Sequence, residues 1–214
     1  AVFTTNKVVA APVIWSRQVA KGGIVRAVVL NSGGANACTG PQGFADTHKT
    51  AEHVGQLLNI SSGEVIVCST GLIGELLPMS KIVAGLDAIT PSMNNEGLQT
   101  SAQAIMTTDS VPKIATASFN GTEFAGIAKG AGMLAPALAT MLSVVMTDAV
   151  VSDNAQEIFQ RATDRTYNRI DSDGCTSTND TVLFMSSGAS GVSISDADLE
   201  AILMQVCGSL SQQL

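Results

Sequence analysis

Several kinds of chemistry are thinly supplied in this chain. It has only two histidines, His48 and His53, which stand five residues apart in a segment with helical periodicity. That spacing sets them on different faces, so they are not a shared metal site. The four cysteines, Cys38, Cys68, Cys175 and Cys207, are far apart and form no CxxC. This excludes a zinc knuckle and a disulfide framework, and reads as reduced, mostly buried thiols of a cytosolic enzyme. Lysine and arginine, 11 in all against 18 acidic residues, are scattered. With a net charge of −7 and no basic stripe, nucleic-acid binding is excluded. No apolar run approaches the ~18 residues of a membrane span, and no signal peptide opens the chain. Aromatic residues make up 4%, so the core is expected to be built from Val, Ile, Leu, Met and Ala. What remains is an ordered, glycine-rich globular composition, 45% hydrophobic with 20 glycines in 214 residues.

The pattern alternates strands and helices. Residues 2–4, 24–30, 64–69, 143–146 and 181–186 read as strands. Residues 113–119 and 122–128 read as a hairpin around Asn120-Gly121. Helices are expected over 12–20, 41–59, 79–89, 96–106, 152–170 and 195–210. In the 41–59 helix, Phe44, Thr47, Ala51, Val54 and Leu58 share one side. Ser152 is expected as an N-cap, and Ser195 with Asp198 as a capping box. Asn31 to Gly40 reads as a loop, and Thr70-Gly71 as a turn directly after a strand. The fold class is layered α/β, and the pattern leaves open a doubly wound sheet or two sheets packed between helices. Both ends of the chain look cut, as in the central part of a longer precursor.

The loop 31–40 lacks the Gly-Lys-Ser/Thr ending of a P-loop. Asp171 and Asp173 lack the further ligands of a calcium loop. The segment 126–149 carries more. Lys129 stands in a glycine-rich stretch, Gly130-Ala131-Gly132, followed by Pro136 and then by Ala139-Thr140 at the head of an apolar run. Backbone N–H groups, a cation and an oxygen nucleophile thus fall close together in sequence. On the residues alone, Thr140 also reads as one polar residue in a buried strand or helix, and Lys129 as a solvated lysine.

The stretch Lys129–Pro136 with Ala139-Thr140-Met141-Leu142 resembles the self-cleavage segment of the ornithine acetyltransferases, the glutamate N-acetyltransferases of arginine biosynthesis. Four further segments are similar to the same family and occur in its order: Val28–Gly40, Cys68–Gly74, Ile105–Asp109 and Cys175–Thr181. One departure is Ala137-Leu138, where the family often has Asn-Met. The resemblance implies a helix–sheet–sheet–helix fold, incomplete here at both ends, and a single domain over 1–214. It implies self-cleavage between Ala139 and Thr140, dividing an α-chain part (1–139) from a β-chain part (140–214). Thr140 would then be the N-terminal nucleophile, and its own α-amine, with an ordinary pKa near 8, would serve as base.

By the same resemblance, Thr70 and Gly71 are the oxyanion donors. Thr107, Lys129 and Thr140 are substrate ligands, with Thr108 an alternative to Thr107. The expected partners are N-acetylornithine and glutamate, with acetyl-CoA as donor in some members, in a cytoplasmic heterotetramer of two α and two β chains. No metal or organic cofactor is expected. Further substrate ligands come from a C-terminal stretch beyond Leu214. The rival reading is a related self-processing aminopeptidase or amidase with an N-terminal nucleophile.

Overall fold

A computed structural model describes residues 1–132, 141–171 and 173–214. Its strands and helices run β1 (Val2–Phe3), α1 (Ala11–Lys21), β2 (Ala27–Gly34), α2 (Gly40–Leu58), β3 (Val65–Leu72), α3 (Met79–Ile89), α4 (Leu98–Ala104), β4 (Lys113–Phe119), β5 (Thr122–Lys129), β6 (Leu142–Thr147), α5 (Ala155–Arg165), β7 (Thr181–Ser186) and α6 (Asp196–Gln213). The mixed α/β class expected from the sequence is present. The chain divides into two compact units, one of residues 1–5 and 98–214 and one of residues 6–97.

In the first unit the sheet order is β1-β7-β6-β5-β4. β6 and β7 run parallel and the other pairs antiparallel. The parallel pair needs a crossover, which α5 supplies. Side chains alternate across each strand. Phe124 and Ala128 of β5, Met141, Val145 of β6 and Val182 of β7 join one core with Ile158, Phe159 and Ala162 of α5 and Leu199, Leu203, Val206 and Leu210 of α6. Ile127 and Lys129, on the alternate positions of β5, point to the other face, where α4 lies against β4 and β5. The β4–β5 turn is Asn120-Gly121, with φ of +48° and +82°, the two left-handed residues of a tight hairpin. Ser195 caps α6, its Oγ accepting the Asp198 N–H at 3.2 Å and donating to the Asp198 carboxylate at 2.6 Å.

In the second unit β2 and β3 pair in parallel from Ala27↔Val65 to Gly33↔Gly71. The outer edge of β3 is occupied by side chains of α1. Trp15 Nε1 donates to Val65 O at 2.9 Å, and Ser16 Oγ bonds both Val67 O (2.7 Å) and Val67 N (3.0 Å). Ala51, Val54, Val65, Val67 and Leu86 form its core.

Several boundaries differ from the sequence expectation. β2 starts at Ala27 and continues through Asn31–Gly34, because β3 offers ladder partners to the polar Asn-Ser-Gly-Gly run. Thr70 and Gly71 therefore lie in β3 and not in a turn. Lys129 ends a strand instead of standing in a loop. The 96–106 helix shortens to Leu98–Ala104. The 152–170 helix shortens to α5, with Asn154 at its N-cap. Ser152 instead joins the starts of two helices: its Oγ donates to Asp196 Oδ1 at 2.6 Å and accepts the Asn154 N–H at 3.2 Å. Phe44 is exposed although Thr47, Ala51 and Val54 of the same helix are buried. Two of the four free cysteines, Cys38 and Cys175, are exposed.

Candidate functional site

In the first unit, β5 ends at Lys129, which pairs with Leu142 near the start of β6. The segment between them thus leaves and re-enters the sheet at the same end of two adjacent strands. Residues 133–140 lie outside the described residues, and with them Ala139 and Thr140, the expected cleavage point and nucleophile. The two flanks of the segment are each tied to a buried carboxylate.

The upstream flank is held by Asp109. Its Oδ1 accepts Lys113 Nζ at 2.6 Å and the Gly130 N–H at 2.7 Å, and its Oδ2 accepts the Thr107 N–H at 3.1 Å. Burial would raise the Asp109 pKa. The Lys113 hydrogen bond and the two N–H donors outweigh that and hold it below the ordinary value. One carboxylate thereby joins Thr107, Lys113 and the residue after Lys129. Thr107 is itself exposed, as is Thr108, and only Thr107 has its main chain tied to Asp109.

The downstream flank is held by Asp180, which is 0% exposed. Its Oδ1 accepts the Met141 N–H at 2.8 Å. Around it, the Thr4 N–H donates to Asp180 O at 2.9 Å, and the Thr181 N–H donates to Met141 O at 3.1 Å. Burial pushes the Asp180 carboxyl well above its ordinary pKa. The Met141 N–H, the Ser177 hydroxyl and the Lys129 charge oppose that shift without overcoming it. Asp180 Oδ2 is buried and has no hydrogen-bond partner among the described residues.

Lys129 is 1% exposed, so it is not a solvated surface lysine. Burial lowers its pKa. Asp109 and Asp180 attract its charge, and Lys113 repels it. Among the described residues no group of three or more His, Cys, Asp or Glu side chains is placed to hold a metal ion. His48 pairs with Glu52 and His53 with Asp87 instead.

Thr70 and Gly71 belong to the second unit. Thr70 is 1% exposed within β3, opposite Ser32. Gly71 has φ +130°, and a Cβ there would stand 2.3 Å from Gly33 C and 2.5 Å from Gly33 O. Glycine is required because the β2 backbone passes at that distance. Beside it, Ser69 Oγ donates to Asn31 Oδ1 at 2.6 Å, and Asn31 Nδ2 donates to Gly34 O at 2.9 Å.

The sequence reading missed Asp109, Lys113 and Asp180. Two of them lie inside segments already singled out, Ile105–Asp109 and Cys175–Thr181. The available signal was an aspartate beside threonines in a chain with only 14% charged residues.

These features define a mixed α/β protein whose glycine-rich segment 130–140 is bracketed by buried charge. Solved structures of one kind are similar to it. The chain is similar to the crystal structure of ornithine acetyltransferase complexed with ornithine from Mycobacterium tuberculosis, at 48% identity and a TM-score of 0.56, over 64% of this chain and 75% of that one. It is similar at 38% identity and the same TM-score to the arginine biosynthesis bifunctional protein ArgJ of Bacillus halodurans, over 64% of this chain and 74% of that one. The chain belongs to the ArgJ family, whose model matches residues 1–214. It is 55% identical to the arginine biosynthesis bifunctional protein ArgJ of Thermobifida fusca and 56% identical to that of Streptomyces coelicolor, each over 100% of this chain. It spans 56% of each of those two proteins, about half their length. No helix among the described residues is long and apolar enough to cross a membrane.

Proposed function

We propose that this chain is part of an acetyltransferase that moves the acetyl group of N-acetylornithine to glutamate in arginine biosynthesis, after cleaving itself between Ala139 and Thr140. The observation that carries the reading is Lys129, a lysine buried to 1% at the entrance to segment 130–140, in a chain of the ArgJ family. A cation taken out of water favours anionic company, and the α-carboxylate shared by ornithine and glutamate is an anion of that kind. Thr140, freed as an N-terminus in the 140–214 part, attacks the acetyl carbonyl while its α-amine takes the hydroxyl proton. Ornithine leaves, an acetyl-threonine ester remains, and glutamate attacks that ester. Thr70 and Gly71 donate to the oxyanion, and Thr107 contributes to the substrate site beside Lys129. The scheme calls for no metal or organic cofactor. Some members of the family also take acetyl-CoA as donor, and the working form in this reading is a cytoplasmic heterotetramer of two 1–139-type and two 140–214-type chains.

The test is the intact mass of the full-length precursor and of its Thr140→Ala variant. The wild type should give two chains. The variant should give one chain and no acetyl transfer. Two chains from the variant would refute the reading. Release of free acetate from acetyl-enzyme at an undiminished rate without glutamate would identify an aminopeptidase or amidase instead.

A further inference from the structure

A buried ion pair is a poor device for stability alone, because apolar side chains of similar volume often serve the fold as well or better. Asp109 and Lys113 form such a pair, with side chains 0% and 4% exposed and 2.6 Å between Oδ1 and Nζ. The strands do not need the pair to join them here. β4 and β5 are already laddered from Lys113↔Ala128 to Phe119↔Thr122. What the carboxylate adds lies outside the ladder. Oδ2 accepts the Thr107 N–H at 3.1 Å, and Oδ1 accepts the Gly130 N–H at 2.7 Å. Gly130 is the first residue past β5, and residues 105–112 are neither helix nor strand.

Thr107 N and Gly130 N bond one carboxylate, so they stand within about 8 Å of each other. This sets the exposed Thr107 beside the Lys129–Gly130 peptide, where Lys129 is 1% exposed. Charge gives the pair a second consequence. Asp109 attracts the Lys129 charge and Lys113 repels it. As the ion-pair partner of Asp109, Lys113 offsets the pull of that carboxylate on Lys129. Asp109, Lys113 and a protonated Lys129 together carry two positive charges against one negative, an excess that suits an anionic ligand.

We propose that Asp109 and Lys113 are a positioning pair for the amino-acid site: the carboxylate fixes the Thr107 main chain to the Lys129–Gly130 end of β5, and Lys113 keeps that carboxylate from neutralising Lys129. The ligand so prepared for is an α-carboxylate, the group that N-acetylornithine and glutamate share. The inference rests on the acetyltransferase reading, in which Thr107 and Lys129 are substrate ligands. It adds two residues that touch no substrate and act only through those that do.

Steady-state kinetics of the full-length protein test it, because KM does not depend on how much of the enzyme is folded. Asp109→Asn retains one acceptor oxygen, loses the charge and puts an NH2 where a donor now bonds. KM for N-acetylornithine and KM for glutamate should both rise by about 10-fold, with kcat within about 3-fold of wild type. Lys113→Met leaves the carboxylate without its partner and free to pair with Lys129, and should raise both KM values at least as far. Adding Asp109→Asn to Lys113→Met removes that competitor, so both KM values should fall back below those of Lys113→Met. Unchanged KM values in Asp109→Asn, a rise for one substrate only, or a double variant that binds no better than Lys113→Met would each overturn the inference, while transfer by the wild type keeps the acetyltransferase reading intact. Should Lys113→Met fail to fold, Asp109→Asn decides alone. An Asp109→Asn protein that does not fold either would assign the pair to folding and also overturn the inference. Absence of transfer in the wild type would remove the acetyltransferase reading, and this inference with it.

Discussion

The two units support their candidate residues by different means. In the first, the groups around segment 130–140 are ionisable side chains removed from water: Asp109 with Lys113, then Lys129 and Asp180. In the second, the groups around Thr70 and Gly71 are neutral, and the backbone is the main component. Ser69 bonds Asn31, and β2 approaches β3 so closely that only glycine fits at position 71. Buried charge is sensitive to pH and to the loss of a partner, whereas close backbone approach is insensitive to pH and intolerant of one added carbon. The two kinds of support should therefore fail in different ways.

The largest effect should come from breaking the charged arrangement. The Lys113 and Asp109 side chains are 4% and 0% exposed. Removing one partner of such a pair leaves an uncompensated buried charge and typically costs about 3–5 kcal/mol. Lys113→Met should lower the unfolding free energy by that order in a urea titration. Asp109→Asn with Lys113→Met should lose less than the single variant, because no lone charge remains. Equal losses in the single and double variants would show that Asp109 is held by the Gly130 and Thr107 N–H groups alone, and the contrast between the units would weaken.

How much of this was legible beforehand depends on the physical origin of each feature. Strands and helices with strong periodicity were read closely: Met79–Ile89, Lys113–Phe119 and Thr181–Ser186 fall where expected. Asn31–Gly34 read as a loop because its residues are polar and glycine-rich. It is strand because β3 pairs with it, a tertiary override of local preference. Ser152 read as a cap because capping is a local pattern, yet its hydroxyl is engaged by Asp196, 44 residues away. Lys129 was picked out, but nothing local to it shows that it is buried. Asp109 and Asp180 act through main-chain N–H groups 21 and 39 residues distant, which no spacing rule reveals.

The next effect tests the neutral side of the comparison. Gly71→Ala would put a Cβ 2.3 Å from Gly33 C at a φ of +130°. Backbone strain of about 1–3 kcal/mol and overpacking of about 1–3 kcal/mol together predict a loss of about 2–6 kcal/mol in the same titration. The atoms in the way are backbone, so no side chain can swing aside to relieve the clash. A loss under about 1 kcal/mol would mean that β2 and β3 separate readily at this end, and that the glycine serves something other than close approach.

The smallest effect is a slope, and it separates the two kinds of support most directly. It is best measured in the Thr140→Ala background, where every protein compared is expected to remain one chain. Asp180 has a folded-state pKa raised above its unfolded value of about 3.9. Between those two values the folded state keeps a proton that the unfolded state has released. Unfolding then becomes easier as pH rises, by up to about 1.4 kcal/mol per pH unit for one group. Below the unfolded value both states are protonated and the stabilising contribution is fully present. Above the folded value it is fully lost. The amide introduced by Asp180→Asn cannot titrate, so the stability of that variant relative to its parent should increase from about pH 4 upward and then level off. Gly71→Ala adds no titrating group, and its deficit should be the same at every pH. Parallel curves for Asp180→Asn and its parent would mean that Asp180 is ionised within the fold, and the buried groups around segment 130–140 would then carry one more negative charge than the structure indicates.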